Sequence, residues 1–277
     1  MRNHRCWFAA ALIVTSLAGL AAQTPDAGQV ISAAREALGG EQKLSAIRTF
    51  TATGRTRQIR GNNLVPIEFE IDCELPDKYV RKDEIPAQDT DPTTRGFSGD
   101  ALIQVPPPGA GRGPARAGGP PPAAAGPPSD AGRGPGRGPG PVSPVVAVKQ
   151  DFARLMLGMF AASYPSFPLT FKYAALGEAP EGKADILDVA GPAKFGLKFV
   201  VQRDTHLPVM LMWTGPAPGR PAPAEQRMYF ADYRDVDGLK LPFRIRRAVG
   251  ADTIEETTFD RIRVNVKIDP RKFEVRK

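Results

Sequence analysis

Alternation of apolar and polar residues with a period of two constrains this chain more than any other feature. From Leu239 to Arg246, leucine, phenylalanine and isoleucine alternate with lysine, proline and arginine. This period predicts a β-strand with one apolar face and one solvated face. The Asp237-Gly238 pair before it supplies the positive-φ turn of a hairpin, and the run from Tyr229 onward forms the other strand of that hairpin.

The same alternation recurs along most of the chain and predicts eight to ten strands. Short turn sequences separate the runs, which favours antiparallel neighbours. In addition to the hairpin, strands are predicted over residues 47–58, 63–74, from Tyr79 onward, weakly over 93–105, and over 184–190, 195–202, 207–213 and 259–269. Because nearly every run has one apolar and one charged face, we predict a single, strongly curved antiparallel sheet with its wet face outward.

Two segments have helical spacing. The first begins at Thr24-Pro25 and ends at Gly39-Gly40. The second lies in residues 148–164, where apolar residues recur at i, i+3, i+4, i+7 and i+8. The inner stripes are predicted to be Val30, Ala34, Ala37 and Leu38 in the first helix, and Phe152, Leu155, Met156, Met159 and Phe160 in the second. These helices are predicted to cover the apolar concave face, which makes the fold class α+β.

The amino terminus has the layout of a secretory signal peptide. Arg2 and Arg5 precede an apolar stretch that ends in small residues, with cleavage predicted near residue 22–23. The alternative is a membrane anchor, but the uncharged stretch is at the short limit for crossing a bilayer. We therefore predict a periplasmic protein from which residues 1–23 are removed.

A Pro/Gly-rich insert divides the remaining chain. Residues 106–144 contain 24 Pro or Gly in 39 positions, a composition that cannot fill a core. We predict a disordered insert that acts as a tether, although its arginines could contact an anionic polymer or lipid. Residues 24–105 and 145–277 are then two parts of one domain.

The residue inventory gives little support for catalysis. The 37 Lys and Arg against 30 Asp and Glu give a net charge of +7, and losing Arg2 and Arg5 leaves +5. Without the leader, Cys73 is the only cysteine and His206 the only histidine. One of each cannot form a soft-ligand metal site, and any triad would depend on His206 as its base.

For each candidate residue, a purely structural role is a stronger interpretation than a catalytic one. His206 in "DTHLP" is interpreted as a strand-start turn, and Cys73 as an ordinary side chain on the charged face or at a twist. Glu68, Glu70 and Asp72 on one strand, and Glu255 and Glu256 on another, are interpreted as solvated strand faces. The glycine-rich stretches lack the spacing of a phosphate loop. We predict a protein that is not an enzyme and has no cofactor and no metal.

Four segments together resemble a known family. They are "ALGGEQKLSAIRTFTATGR", "FPLTFKYAALGE" after the central helix, "DTHLPVMLMW" and "DYRDVDGLKLPFRI". They are similar to the LolA/LolB-type periplasmic lipoprotein carriers, also called outer-membrane lipoprotein-sorting proteins. The resemblance implies an incomplete β-barrel with helices as a lid, and a cavity that accepts acyl chains.

The predicted function is that of an exported carrier, which binds lipid or lipoprotein acyl chains in an apolar cavity and moves them through the periplasm. Methionine and aromatic residues favour a cavity over a filled core, because methionine adapts to irregular partners. The predicted lining is Phe69, Ile71, Phe152, Met156, Phe160, Phe199, Val201, Leu211, Trp213, Tyr233, Leu241 and Phe243.

The predicted partners are lipid or acylated protein and a complex of the inner or outer membrane; nucleic acid is not expected, and the chain is expected to be a monomer. The alternative function is a non-catalytic envelope-binding module. It would use the arginines of the insert and basic outer strands, represented by Arg244, Arg246, Arg247, Arg261, Arg263 and Lys267.

Overall fold

The structure, a computed structural model, describes residues 26–61, 63–88, 90–107, 142–216 and 222–275. The predicted signal peptide and residues 108–141 of the predicted insert lie outside this range. The helices are α1 (Ala27–Ala37), α2 (Glu41–Ser45) and α3 (Pro144–Phe160), with a short 3-10 helix at Pro270–Phe273. The strands are β1 (Thr49–Arg60), β2 (Asn63–Glu74), β3 (Lys78–Glu84), β4 (Thr93–Ser98), β5 (Ala101–Val105), β6 (Thr170–Ala179), β7 (Gly182–Gly191), β8 (Phe195–Gln202), β9 (Pro208–Gly215), β10 (Ala224–Val236), β11 (Leu239–Val249) and β12 (Asp252–Val264).

All twelve strands form one antiparallel sheet. Its order is β5-β4-β3-β2-β1-β12-β11-β10-β9-β8-β7-β6, so each half of the chain is a meander and the halves join where β1 pairs with β12. Strands β5 and β6 end the sheet and do not pair with each other, so the curved sheet stays open. The predicted α+β fold class, a curved antiparallel sheet forming an incomplete barrel, is confirmed.

Strand boundaries differ from the prediction in three places. The weak strand over 93–105 is two strands that turn at Gly99, where φ is +59°. Strand β6 was not predicted from periodicity, because this edge strand is largely exposed and lacks a clean alternation. The last strand ends at Val264 and does not continue to residue 269, since Asn265 takes a positive φ of 55° and directs the chain off the sheet.

Helix α1 covers one end of the concave face. Asp26 caps its amino terminus through a capping box with Gln29, and Val30, Ala34 and Leu38 are buried as predicted. Its predicted start at Thr24 lies outside the described residues. The helix ends before Gly39 and Gly40, whose φ values of 130° and 93° suit glycine alone.

Helix α3 crosses the hollow. It begins at Pro144, four residues before the predicted start, and ends at Phe160 because Ala161 adopts a left-handed conformation. Its inner face packs edge-to-face against the sheet: Phe152 meets Phe97 at 5.3 Å, and Phe160 meets Phe50 at 5.5 Å between ring centroids. These contacts place most of the core between α3 and the concave face.

Two small apolar clusters lie on the outer face of the sheet. One contains Val200 and Met210, whose strand neighbours Phe199 and Leu211 point the other way into the main core. The other forms where Phe273 of the 3-10 helix covers Val80 and Ile103. Within the described ranges, every helix is too short or too polar to cross a membrane.

Candidate functional site

The twelve residues predicted to line the cavity all belong to the main core or pack against it. Ten are buried, and Trp213 and Tyr233 are half-buried at its margin. Side chains of α3 such as Phe152 and Met156 are at most 1% exposed, which means that they fill the hollow beneath the helix. Ile71 is the one member of this set that borders the cavity described next.

A cavity of about 300 Å³ lies beside the amino-terminal half of α3. It is bounded by α3 and by strands β1–β4 and β10–β12, so it spans the junction between the two halves of the sheet. Its volume is at the lower end of the range for small-molecule sites. The lining residues are Thr56, Gln58, Ile67, Ile71, Tyr79, Arg81, Asp83, Thr93, Arg95, Val148, Asp151, Leu155, Met228, Ile245, Arg247, Glu255, Thr257 and Phe259.

One side of this cavity is apolar. Helix α3 contributes Val148 and Leu155, which stand two turns apart on one flank of the helix. The sheet contributes aliphatic and aromatic side chains whose neighbours along each strand face outward. We call this the apolar wall; it consists of Ile67, Ile71, Tyr79, Val148, Leu155, Met228, Ile245 and Phe259.

The other side is a band of polar residues that crosses the concave face. We call it the polar belt; it consists of Thr56, Gln58, Arg81, Asp83, Arg247, Glu255 and Thr257. The register of the sheet explains it, because Thr56 lies opposite Thr257, and Gln58 opposite Glu255, across the β1–β12 junction. Thr56 and Thr257 join their hydroxyl groups at 2.9 Å.

Arg81 connects β3 to β1 within the belt. Its Nε donates to Asp83 Oδ1 at 2.7 Å, and its Nη2 donates to Thr56 Oγ1 at 3.2 Å. The guanidinium lies over the ring of Phe69 at 4.7 Å. Burial lowers the pKa of Arg81, but the charge and hydrogen bond of Asp83, together with the charges of Tyr79 and Glu255, outweigh burial, so the net pKa is raised and the side chain carries its positive charge.

At the other end of the belt, Arg247 and Glu255 lie opposite each other on β11 and β12. Arg247 Nη1 is 3.7 Å from Glu255 Oε2, and Gln58 Nε2 donates to the same carboxylate oxygen at 3.4 Å. The predictions that Arg247 belongs to a basic outer surface and that Glu255 lies on a solvated face are therefore wrong. The side chain of Arg247 lines the cavity because it has the same strand parity as Ile245.

The other residues of the predicted basic surface lie on exposed positions. Arg244 pairs with Glu256 at 3.3 Å, and Arg246 lies over the ring of Tyr229 at 4.5 Å. Arg261 and Arg263 are exposed on β12, and Lys267 follows them in the carboxy-terminal segment. These contacts neutralise or cover part of the predicted charge.

Polar contacts hold α3 at both ends. Lys149 Nζ donates to Asp100 Oδ1 at 2.7 Å, which ties the first half of the helix to the β4–β5 turn. At the other end, Arg35 Nη1 of α1 donates to the carbonyl oxygen of Phe160 at 3.1 Å. Between them Arg154 stacks over Trp213 at 4.6 Å. The helix is thus attached by its ends while its flank borders the cavity.

The remaining sequence candidates are placed away from the cavity. His206 is exposed in a turn with φ of 56° before β9, in agreement with the turn interpretation. Cys73 is fully buried in the main core, so its placement on the charged face was wrong; it has the same strand parity as Ile71. Burial raises the pKa of the Cys73 thiol well above its usual value.

The carboxylates of β2 are only partly solvated. Lys272, in the carboxy-terminal segment, donates to Glu70 and to Asp72 at 2.7 Å each. Asp72 is 5% exposed, so the predicted solvated face is wrong at this residue. The sequence does not show that Asp72 is buried. The segment that covers it follows the end of β12, and the path of that segment depends on the backbone turn at Asn265.

The geometry defines a class: an open half-barrel with a helix across its hollow, and beside that helix a cavity with an apolar wall and a polar belt. No model of a known protein family and no curated protein sequence matches the chain. Among solved structures, the fold is similar to a LolA superfamily protein from Nitrosomonas europaea, with a TM-score of 0.53 and 11% identity, over 91% of this chain and 98% of that one.

Two further solved structures align at lower scores. A DUF1329 family protein from Desulfovibrio piger has a TM-score of 0.48 at 8% identity, covering 91% of this chain and 98% of that one. An outer membrane lipoprotein-sorting protein domain from Vibrio parahaemolyticus has a TM-score of 0.44 at 8% identity, covering 88% and 97%. The fold assignment depends on the Nitrosomonas structure, and the chain has the LolA fold.

Proposed function

We propose that this protein is a non-catalytic, exported carrier that holds the acyl chains of a lipid or an acylated protein inside its half-barrel and moves them through the periplasm. The observation that carries the proposal is the cavity between α3 and the concave face, with its apolar wall. The likeness in fold to a LolA superfamily protein supports it.

The energetics favour a dry, adaptable hollow as the binding site. Burying one methylene group contributes about 0.8 kcal/mol, so ten of them contribute ~8 kcal/mol before the cost of ordering the chain. Such a gain needs apolar area and does not need a precise polar arrangement. The apolar wall, continuous with the core beneath α3, offers this area.

Helix α3 is the element that would move. The cavity accommodates a short hydrocarbon segment as it stands, and a longer chain needs the space now filled by Phe152, Met156 and Phe160. Because α3 packs on the sheet without pairing with any of its strands, lifting it would open the hollow without breaking the sheet. The predicted lining residues would then contact the cargo.

Organic extraction of the purified exported protein, followed by mass spectrometry, tests this proposal. We expect lipid at close to one molecule per protein, and binding of a fluorescent fatty acid after the lipid is removed. Absence of extractable lipid together with failure to bind the fatty acid would overturn the proposal.

A further inference from the structure

The polar belt contains hydrogen-bond donors that the protein does not use. Arg247 Nε is buried, as is Nε of Arg154 on α3, and neither has an acceptor among the described residues. Buried guanidinium donors are normally paired with protein, water or an ion, because an unpaired donor costs free energy. Arg247 lines the cavity and therefore indicates a place there for an acceptor from outside the chain, whereas Arg154 lies outside the lining.

The charges around the cavity indicate that this acceptor is negatively charged. Arg81 and Arg95 lie directly opposite each other on β3 and β4, and both line the cavity. Like charges in opposite positions of an antiparallel pair destabilise it, unless an anion lies between or beside them. Asp83 already offsets the charge of Arg81, so the pairing favours a further negatively charged group beside Arg95.

The local ion pairs leave one positive charge in excess. Asp83 pairs with Arg81, and Glu255 lies beside Arg247. The third carboxylate of the lining, Asp151, pairs with Arg154 at 2.8 Å. Arg95 has no ion pair within the described part of the chain, and its side chain is exposed at the rim. The lining itself holds three arginines and three carboxylates, but Asp151 is paired with Arg154 outside the lining, so Arg95 is left to bind a ligand with a single anionic group.

We propose that the polar belt, together with Arg95, binds the anionic head group of an amphiphile, a carboxylate or a phosphate, while its hydrocarbon tail lies along the apolar wall. This inference rests on the proposed function and specifies the class of cargo. Arginine suits the role because its planar fork binds carboxylate and phosphate oxygens with paired hydrogen bonds. An uncharged acyl ester offers these donors only a neutral carbonyl acceptor, which binds them more weakly than a carboxylate or phosphate does.

Calorimetric titration of the lipid-free exported protein tests the inference with four probes: dodecanoic acid, methyl dodecanoate, dodecyl phosphate and inorganic phosphate. We expect the acid or the alkyl phosphate to bind about tenfold or more tightly than the methyl ester, since hydrogen bonds from arginine to a charged acceptor are stronger than those to a neutral one. Whichever of the two binds more tightly identifies the head group.

Single substitutions of arginine test which residues cause the preference for charged probes. Arg95→Gln and Arg247→Gln should each lose most of the preference for the charged probes and keep the affinity for the methyl ester. Arg95 is exposed, so its replacement leaves the core intact. Arg246→Gln is the matched control. It removes the same charge from the neighbouring residue, whose side chain lies on the outer face of the sheet, and it should change neither affinity.

The outcomes separate this inference from the carrier proposal. Equal affinity for acid and ester, or an undiminished preference in both variants, would overturn the head-group site and leave the carrier proposal standing. Binding of inorganic phosphate as tight as that of dodecyl phosphate would also overturn it, because the tail would then contribute nothing. If none of the amphiphiles binds, both proposals fail.

Discussion

Gly158 on α3 lies directly against the ring of Phe230 on β10. A Cβ atom at position 158 would stand 2.0 Å from Cε1 and 2.1 Å from Cζ of that ring. Both residues are buried, so the helix can approach the sheet here only because residue 158 has no side chain. This contact sets how deeply α3 enters the hollow.

Gly158→Ala should lower the free energy of unfolding by about 1–3 kcal/mol, because overpacking forces the helix or the ring to move. Without the clash, alanine would stabilise a helix interior by about 1 kcal/mol. Urea unfolding measures the change, and Phe230→Leu in the same chain should restore part of the loss. A Gly158→Ala variant more stable than the parent protein would show that the contact is loose.

Replacing Arg35 should loosen the carboxy-terminal end of α3. Arg35→Met removes the hydrogen bond to the Phe160 carbonyl and the ion pair with Glu41, and we expect a loss of about 1–3 kcal/mol. Hydrogen exchange should become faster at the last turn of α3. Arg48→Met is the control, because Arg48 is exposed and its side chain donates locally, to the carbonyl of Ser45, while its backbone bond to Asn265 is unaffected by the substitution. Equal effects in both variants would exclude a specific role for Arg35.

Asp72 should make stability depend on pH in an unusual direction for an acid. Burial raises its pKa in the folded state, although the hydrogen bond from Lys272 opposes this change. The contribution of Asp72 to the free energy of unfolding is then fully present below its unfolded pKa and is lost as pH rises through the raised folded value. Unfolding measured across the acidic range should show this decline in the parent protein and lack it in Asp72→Asn.

Glu68→Gln on the same strand face is the control for Asp72, since Glu68 is exposed. It should leave the decline in place. A pH profile of Asp72→Asn that is parallel to the parent profile would contradict the assignment.

Much of the fold could be predicted from short stretches of sequence. The face to which a strand residue points follows from its position in the alternation along that strand. The alternation of Ile67, Phe69 and Ile71 with Glu68 and Glu70 assigned the inner face correctly. By contrast, β6 carries little alternation, as an exposed edge strand does not need an apolar face. The end of β12 depends on the positive φ of Asn265, and no pattern in the sequence of the strand predicts that conformation.

The cavity was harder to predict than the fold. Apolar residues were assigned to its lining because they face inward, yet most of them pack against one another. The polar belt was missed although its signal is present in the sequence: Arg81 has the same parity as Tyr79, and Arg247 the same parity as Ile245. The belt forms only because β1 pairs with β12, which brings Thr56 and Thr257 into contact although they lie about 200 residues apart in the sequence.

The thiol of Cys73 should report opening of the core. It is fully buried and its raised pKa reduces the reactive thiolate, so labelling of the native protein should be at least about a thousandfold slower than that of the unfolded chain. Thiol-reagent kinetics on the chain from residue 24 measure this. A cysteine added at exposed Thr170 should react rapidly, and rapid labelling of Cys73 itself would contradict the buried assignment.

The most direct test of the carrier account fills the cavity with a side chain. Leu155 lines the cavity from α3, whereas Leu64 on β2 is 59% exposed and lies outside its lining. Equilibrium binding of a fluorescent long-chain fatty acid should weaken by about tenfold or more, about 1.4 kcal/mol, in Leu155→Trp and stay unchanged in Leu64→Trp. Equal affinity in the parent protein and both folded variants would contradict the account.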